Sequence, residues 1–191
     1  LCCNYSVGDA EIKGILVDKL LIPRVGITSI IGVSGSGKST LLSKISSAKP
    51  KIADYPFTTL QPHLGIVKYG EYKSFVMADI PGLIEGASEG KGLGHQFLKH
   101  IERNKILLFM IDIEEPSPID VYNQLMDELV GFNKDLLDKD RLVIRTKMDT
   151  VSQDVDDRWN SFPEEFIDIS SVSNQGLDTL KDKLVSFLSA S

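Results

Sequence analysis

Residues 27–40 read ITSIIGVSGSGKST: five residues rich in β-branched side chains, a glycine-rich loop, then Gly-Lys-Ser-Thr. The segment from Gly32 to Ser39 fits G-x-x-x-x-G-K-[ST]. A strand before this pattern and a helix opening near Lys38 are the context a phosphate-binding loop requires. The glycines at 32, 35 and 37 let the backbone curl so that its N–H groups point inward at phosphate oxygens, and the helix N-terminus adds a positive dipole. Lys38 supplies a point charge for β and γ phosphates, and Ser39 a hydroxyl for Mg²⁺. We therefore expect Gly32, Val33, Ser34, Gly35, Ser36, Gly37, Lys38, Ser39 and Thr40 to line a phosphate chain.

A loop of this kind sits on an α/β sheet, and the rest of the chain supplies one. Strand-like runs occur at Ile27–Ile31, Leu64–Tyr69, Lys73–Ala78, Ile106–Ile111, Leu142–Arg145 and Glu165–Ile169. Helical stripes lie between them: Leu41, Leu42, Ile45; Leu93, Phe97, Leu98, Ile101; Val121, Leu125, Leu129, Phe132, Leu136; and Leu177, Leu180, Leu184, Leu188. Only Gly70, Glu71 and Tyr72 separate the second and third runs, a hairpin-length link, whereas every later pair is separated by a helix. The expected fold is a P-loop NTPase three-layer domain with a six-stranded, mostly parallel sheet and one antiparallel edge strand. The 191 residues, 42% hydrophobic, suffice for one such core.

A phosphate loop does not identify the base. Thr146-Lys147-Met148-Asp149 directly follows the run LVIR. There Asp149 can accept hydrogen bonds from guanine N1–H and the exocyclic amine, a pair adenine does not present. Lys147 would lie along the base plane with its aliphatic stem. At the end of SFVMA stand Asp79, Ile80, Pro81 and Gly82: an Asp placed to help hold Mg²⁺, and a Gly whose N–H can approach a γ-phosphate. Between these elements lies YPFTTL, residues 55–60, where a Thr hydroxyl can complete the metal shell. After the glycine of DIPG many GTPases carry a Gln that orients the attacking water. Leu83 stands here, so turnover by the isolated chain is expected to be slow, at or below about 10⁻² s⁻¹.

From Lys38 to residue 189, KSTLLSKISSAKPKIADYPFTTLQPHLGIV, FVMADIPGLIEGASEGKGLGHQFLKHIER, TKMD and ISSVSNQGL resemble the GTPase domain of the Obg (CgtA) family. The resemblance implies a GTP-hydrolysing switch linked to large-subunit ribosome assembly. It implies that Ser39 and Thr59 ligate Mg²⁺, with Phe57, Thr58 and Leu60 beside them, and that Asp79 to Gly82 is the second switch. It further implies that Ser170, Ser171 and Val172 support the guanine. Lys38, Thr59 and Gly82 then carry the chemistry. The family usually has GFPNVGKS where this chain has GVSGSGKS, which is more like ABC-type ATPases, as is the run-in GILVDKLLIPRVGITSI. An ATP-binding engine signalled by residues 1–40 is therefore the competing expectation. Gly35 replaces an Asn that helps hold potassium in related GTPases, Thr146 stands where Asn is usual, and Ser171 where Ala is usual.

Residues 1–24 read as a run-in or linker and 25–191 as the GTPase domain. Because the chain starts with Leu1, we expect a piece of a longer protein whose further domains would dock on the ribosome. The adjacent Cys2 and Cys3 exclude a disulfide framework and suit a reducing, cytoplasmic compartment. With 21 basic and 27 acidic residues the net charge is −6, a poor footprint for direct nucleic-acid binding, and no apolar run reaches membrane-spanning length. His63, His95 and His100 lack metal spacing, and the acids at 154, 156 and 157 lack the glycine and Glu of a calcium loop. Asp112, after ILLFMI, imitates the metal-holding Asp of an ATPase, but no catalytic Glu follows it.

Overall fold

The computed structural model describes residues 2–7, 10–17, 20–23, 27–52, 63–69, 73–79, 104–151 and 157–190. Three strands open the chain, β1 (Cys2–Val7), β2 (Ala10–Val17) and β3 (Leu20–Pro23), and form an antiparallel sheet of their own in the order β1-β2-β3. Cys2 pairs with Ile15 and Val17 with Leu20.

The main sheet starts with β4 (Ile27–Ile31), which leads through the glycine-rich loop into helix α1 (Lys38–Ile45). There follow β5 (Lys51–Ile52), β6 (His63–Tyr69), β7 (Lys73–Asp79), β8 (Asn104–Asp112), helix α2 (Pro118–Phe132), β9 (Asp140–Thr146), β10 (Phe166–Asp168) and helix α3 (Leu177–Ala190). The spatial order is β10-β9-β8-β4-β7-β6-β5. All six expected strands are present, with parallel pairing from β10 through β7 and antiparallel pairing of β6 on β7. The two-residue β5 adds a seventh, antiparallel to β6. The edge is thus β5 and not β6.

Strand β8 shows why the sheet carries helices on both faces. In ILLFMI, Ile106, Leu108 and Met110 join Leu41 and Leu42 of α1 and Leu180 and Leu184 of α3. Leu107, Phe109 and Ile111 turn the other way, to Leu125 and Leu129 of α2 and to Trp159. A run apolar at every position suits a strand covered on both sides.

The stripe expected through Leu136 is interrupted. Helix α2 ends at Phe132, and Asn133 takes an extended conformation in which its side-chain oxygen accepts from the Asp135 N–H, 2.9 Å away. Leu136 then reaches the same core from a separate 3₁₀ turn, Lys134–Asp138. The stripe at residues 93–101 lies outside the described residues.

From β4 the chain proceeds to β7 on one side and returns to β8 on the other. The carboxyl end of β4 is therefore the point where the strand order reverses, the place where open α/β sheets form a crevice.

Candidate functional site

The loop after β4 fills that crevice. Gly32 lies so close to β8 that a Cβ on it would fall 2.7 Å from both the Met110 carbonyl oxygen and Ser36 Oγ. Only glycine fits. Gly37, at φ +92°, is the N-cap of α1 and passes the chain into the helix, where the Leu41 N–H donates to its carbonyl at 2.9 Å. Between them Val33 accepts from the Ser36 N–H at 3.2 Å, closing the turn. Ser34, Gly35, Ser39 and Thr40 are exposed, whereas Ser36 is only 1% exposed with its hydroxyl beneath the loop.

Two charged side chains stand at this end. Lys38 Nζ donates to the carbonyls of Gly32 (2.7 Å) and Val33 (3.0 Å), which holds the ammonium across the loop. Asp79, the last residue of β7 and 3% exposed, accepts a 2.8 Å bond from Ser39 Oγ on its Oδ2. Its Oδ1 is buried and has no hydrogen-bond partner among the described residues. A buried carboxylate oxygen without a donor is costly unless a cation or an ordered water meets it. Ser39 and Asp79 thus form an oxygen pair suited to a hard divalent cation.

The second cluster lies at the carboxyl ends of β9 and β10. Thr146, 3% exposed, donates from Oγ1 to the Ser36 carbonyl at 3.0 Å, which ties this cluster directly to the phosphate loop. Lys147 has φ +62° and pairs its ammonium with Asp112 Oδ2 at 2.5 Å. Met148 packs against the α2-side core and donates its N–H to the Ile169 carbonyl at 3.2 Å. The exposed Asp149 accepts on Oδ1 from Ser170 Oγ at 2.6 Å. Ser170 is fully buried, and its Oγ also accepts from the N–H groups of Val172 (3.2 Å) and Ser173 (3.0 Å). Ser171 is half-buried, and Val172 is 69% exposed, an apolar side chain standing in the open beside Asp149's partner.

The structure therefore brings Gly32 to Thr40, Asp79, Thr146 to Asp149 and Ser170 to Val172 to one end of one sheet. Phe57, Thr58, Thr59, Leu60, Ile80, Pro81 and Gly82 lie outside the described residues, as do Leu83, His95 and His100. The sequence reading missed the role of Asp112, which it set aside as an imitation of an ATPase's metal-holding Asp. It holds Lys147 instead, and accepts the Glu114 N–H at 3.1 Å on its other oxygen. The signal that pointed to it was its place at the end of β8, one strand from TKMD. His63 is half-buried on β6, with its Nδ1 buried and unbonded among the described residues.

A phosphate loop, a strand-end Asp bonded to its serine, and a lysine-aspartate pair on the neighbouring strand ends define a P-loop G domain. The model of the 50S ribosome-binding GTPase family matches residues 27–147, and this chain belongs to that family. Its curated relatives are of the Obg type. GTPase Obg of Pelodictyon phaeoclathratiforme is 59% identical over 155 residues, covering 81% of this chain and 46% of that protein. GTPase Obg of Bacteroides thetaiotaomicron is 53% identical over 173 residues (89% and 44%), and that of Flavobacterium psychrophilum 49% over 187 residues (94% and 54%). The chain spans about half the length of the curated relatives it matches. Among solved structures, the G domain of the T. maritima iron transporter FeoB superposes with a TM-score of 0.63 at 20% identity, over 85% of this chain and 98% of that one. Era from Aquifex aeolicus gives 0.60 at 24%, over 85% and 56%. These two share the fold.

The expectation of an ABC-type engine in residues 1–40 is overturned. The family match takes in all of GVSGSGKST, and the Flavobacterium match covers too much of the chain to leave out residues 1–24 as a whole. The physical reason is that such a loop meets phosphate mainly through backbone N–H groups, so its middle side chains vary without changing the class. No helix among the described residues is long and apolar enough to cross a membrane.

Proposed function

We propose that this chain is the GTP-binding and GTP-hydrolysing switch domain of an Obg-type protein. The single observation that carries the reading is the Asp149 carboxylate, fastened by the Ser170 hydroxyl at 2.6 Å and joined to the phosphate loop through Thr146 and Ser36. With one oxygen held, the carboxylate is aimed to accept from N1–H and the 2-amino group of guanine. Adenine offers a bare ring nitrogen and no such amine, so Asp149 would keep its Ser170 bond and gain none from the base. Lys147, pinned by Asp112, presents its aliphatic stem to the base plane.

At the other end, the backbone N–H groups of Val33 to Thr40 and the start of α1 receive the phosphates, with Lys38 on the β and γ groups. Mg²⁺ fits here, because the Ser39 hydroxyl and Asp79 Oδ1, which has no partner among the described residues, are hard donors on adjacent elements; the family resemblance adds Thr59, which lies outside the described residues. When bound, the ion neutralises charge on the β and γ phosphate oxygens. Lys38 keeps the triphosphate in line, and the family resemblance gives the γ-phosphate to the N–H of Gly82, which lies outside the described residues. None of these groups orients a water, and Leu83 cannot. Hydrolysis by the chain alone is slow, at or below about 10⁻² s⁻¹, and suits a timer.

The family's description and the Obg relatives support work on the large ribosomal subunit, and the two adjacent cysteines suit the cytoplasm as its compartment. A net charge of −6 argues against RNA binding by this domain's surface as a whole. Single-turnover conversion of GTP with Mg²⁺ tests the proposal: GDP should accumulate over minutes. No GDP above the uncatalysed background, from a folded chain that binds GTP, would remove the hydrolytic role. A rate near 1 s⁻¹ would show that another residue orients the water, with Glu85 and His95, which follow DIPG in the sequence, the first to substitute.

A further inference from the structure

The two loops assigned above to guanine leave β9 and β10 at the same level, since Asp168 is paired in register with Arg145. Thr146 follows one and Ile169-Ser170 the other. Strand β10 is three residues long and forms the edge of the sheet. So short an edge strand has few ladder bonds to set its register, and a slip of one residue would shift Ser170 by roughly 3.3 Å and reverse its side chain.

An ion pair between a buried arginine and a half-buried aspartate holds that register. Arg145, 6% exposed, donates from Nε to Asp168 Oδ1 and from Nη2 to Asp168 Oδ2, both at 2.6 Å. Its guanidinium lies 4.3 Å from the Phe166 ring centre and 5.3 Å from that of Trp159. Two parallel bonds and two aromatic faces fix the direction of the arginine, which a single contact would not. Immediately beyond the pair, the Ile169 N–H donates to the Arg145 carbonyl at 2.9 Å and the Met148 N–H to the Ile169 carbonyl at 3.2 Å. The next step outward is the bond of Ser170 to Asp149.

We propose that Arg145 and Asp168 are positioning residues for guanine recognition: their two-pronged pair locks β10 against β9 and so keeps the Ser170 hydroxyl on the Asp149 carboxylate. The inference rests on the guanine reading above. Both residues lie in the strands below the two loops and outside the set assigned to the nucleotide, so their removal should be felt at the base and not at the phosphates.

The experiment compares the wild-type chain with Arg145→Met and Arg145→Lys, titrating each with GDP, ADP and inorganic pyrophosphate. Hydrogen exchange is followed at the Met148 and Ile169 amides. In Arg145→Met, GDP affinity should fall about tenfold, with ADP and pyrophosphate affinities unchanged. The two amides should exchange faster, while those of β8 do not. Arg145→Lys keeps the charge without the two-pronged bond and should lose less in the same direction; it also serves if the methionine variant does not fold. Undiminished GDP affinity in a folded variant, or an equal loss for GDP and pyrophosphate, would overturn the proposal. A wild-type chain that does not prefer GDP to ADP overturns the guanine reading and this inference together, and is distinguished by appearing before any substitution is made.

Discussion

The phosphate end and the base end of the site are built on opposite principles. At the base end the key side chains are already satisfied by protein: Thr146 by the Ser36 carbonyl, Lys147 by Asp112, Asp149 by Ser170. At the phosphate end a buried carboxylate oxygen of Asp79 has no donor among the described residues, and Lys38 is held by neutral carbonyls that an anionic phosphate outcompetes. The base end is therefore shaped by folding, whereas in the function proposed above charge from nucleotide and cation completes the phosphate end. Substitutions at the base end should disturb structure and selectivity together. Those at the phosphate end should remove affinity and leave the fold intact.

Lys38→Ala gives the largest break. Its ammonium contributes nothing to either core, so nucleotide affinity should fall by roughly a hundredfold or more with an unchanged circular dichroism spectrum. Retained affinity in the folded variant would remove Lys38 from the phosphates.

Asp79→Asn comes next. It keeps the shape and removes the charge, so the tightening of nucleotide binding by added Mg²⁺ should weaken about tenfold. Because a half-satisfied buried carboxylate is also lost, the melting temperature should stay level or rise. A loss of stability with Mg²⁺ dependence intact would place Asp79 in the fold and not in the metal site.

Ser170→Ala tests the other end. The bond to Asp149 and the two to the N–H groups of Val172 and Ser173 disappear, so guanine affinity should fall by about 1 kcal/mol, roughly fivefold. The melting temperature should fall with it, while pyrophosphate binding is unchanged.

Glu128 on α2 belongs to neither cluster and gives the smallest effect. Burial raises its carboxyl above the usual 4.5, opposed by a 3.3 Å hydrogen bond from Gln124. A folded-state value above the unfolded one means the associated stability is fully present below about pH 4.5 and is lost as pH rises through the folded value. Glu128→Gln should therefore raise the melting temperature at pH 7 by about a degree, after allowing for solvent screening of a partly exposed group. The gain should vanish near pH 4, and nucleotide binding should not move at either pH.

Sequence pattern alone placed the elements whose residues repeat regularly. ITSII, ILLFMI and the Leu177–Leu188 stripe were legible because each is long enough to show which faces are covered. The two residues of β5 carry no alternation, and α2 was read too long because Leu136 keeps helical spacing across the break at Asn133. In the site, Gly-Lys-Ser and TKMD are local signals and pointed to their neighbourhoods directly. The partners of Lys147 and Asp149 were less accessible, since Asp112 and Ser170 lie 35 and 21 residues away and meet them only through the parallel pairing of β8, β9 and β10. Arg145 was hidden for the same reason: in LVIR it interrupts an apolar run, and only its pairing with Asp168 explains a buried charge there.

Selection of the base decides the account most directly. A labelled guanine nucleotide bound to the wild-type chain is displaced in parallel by GTP and by ATP, at fixed Mg²⁺ and salt. GTP should compete at least about a hundredfold better, because ATP leaves the Asp149 carboxylate without its donors while meeting the same phosphate loop. Equal competition would mean that the loop alone does the binding, and that the Asp149 and Ser170 cluster reads no base.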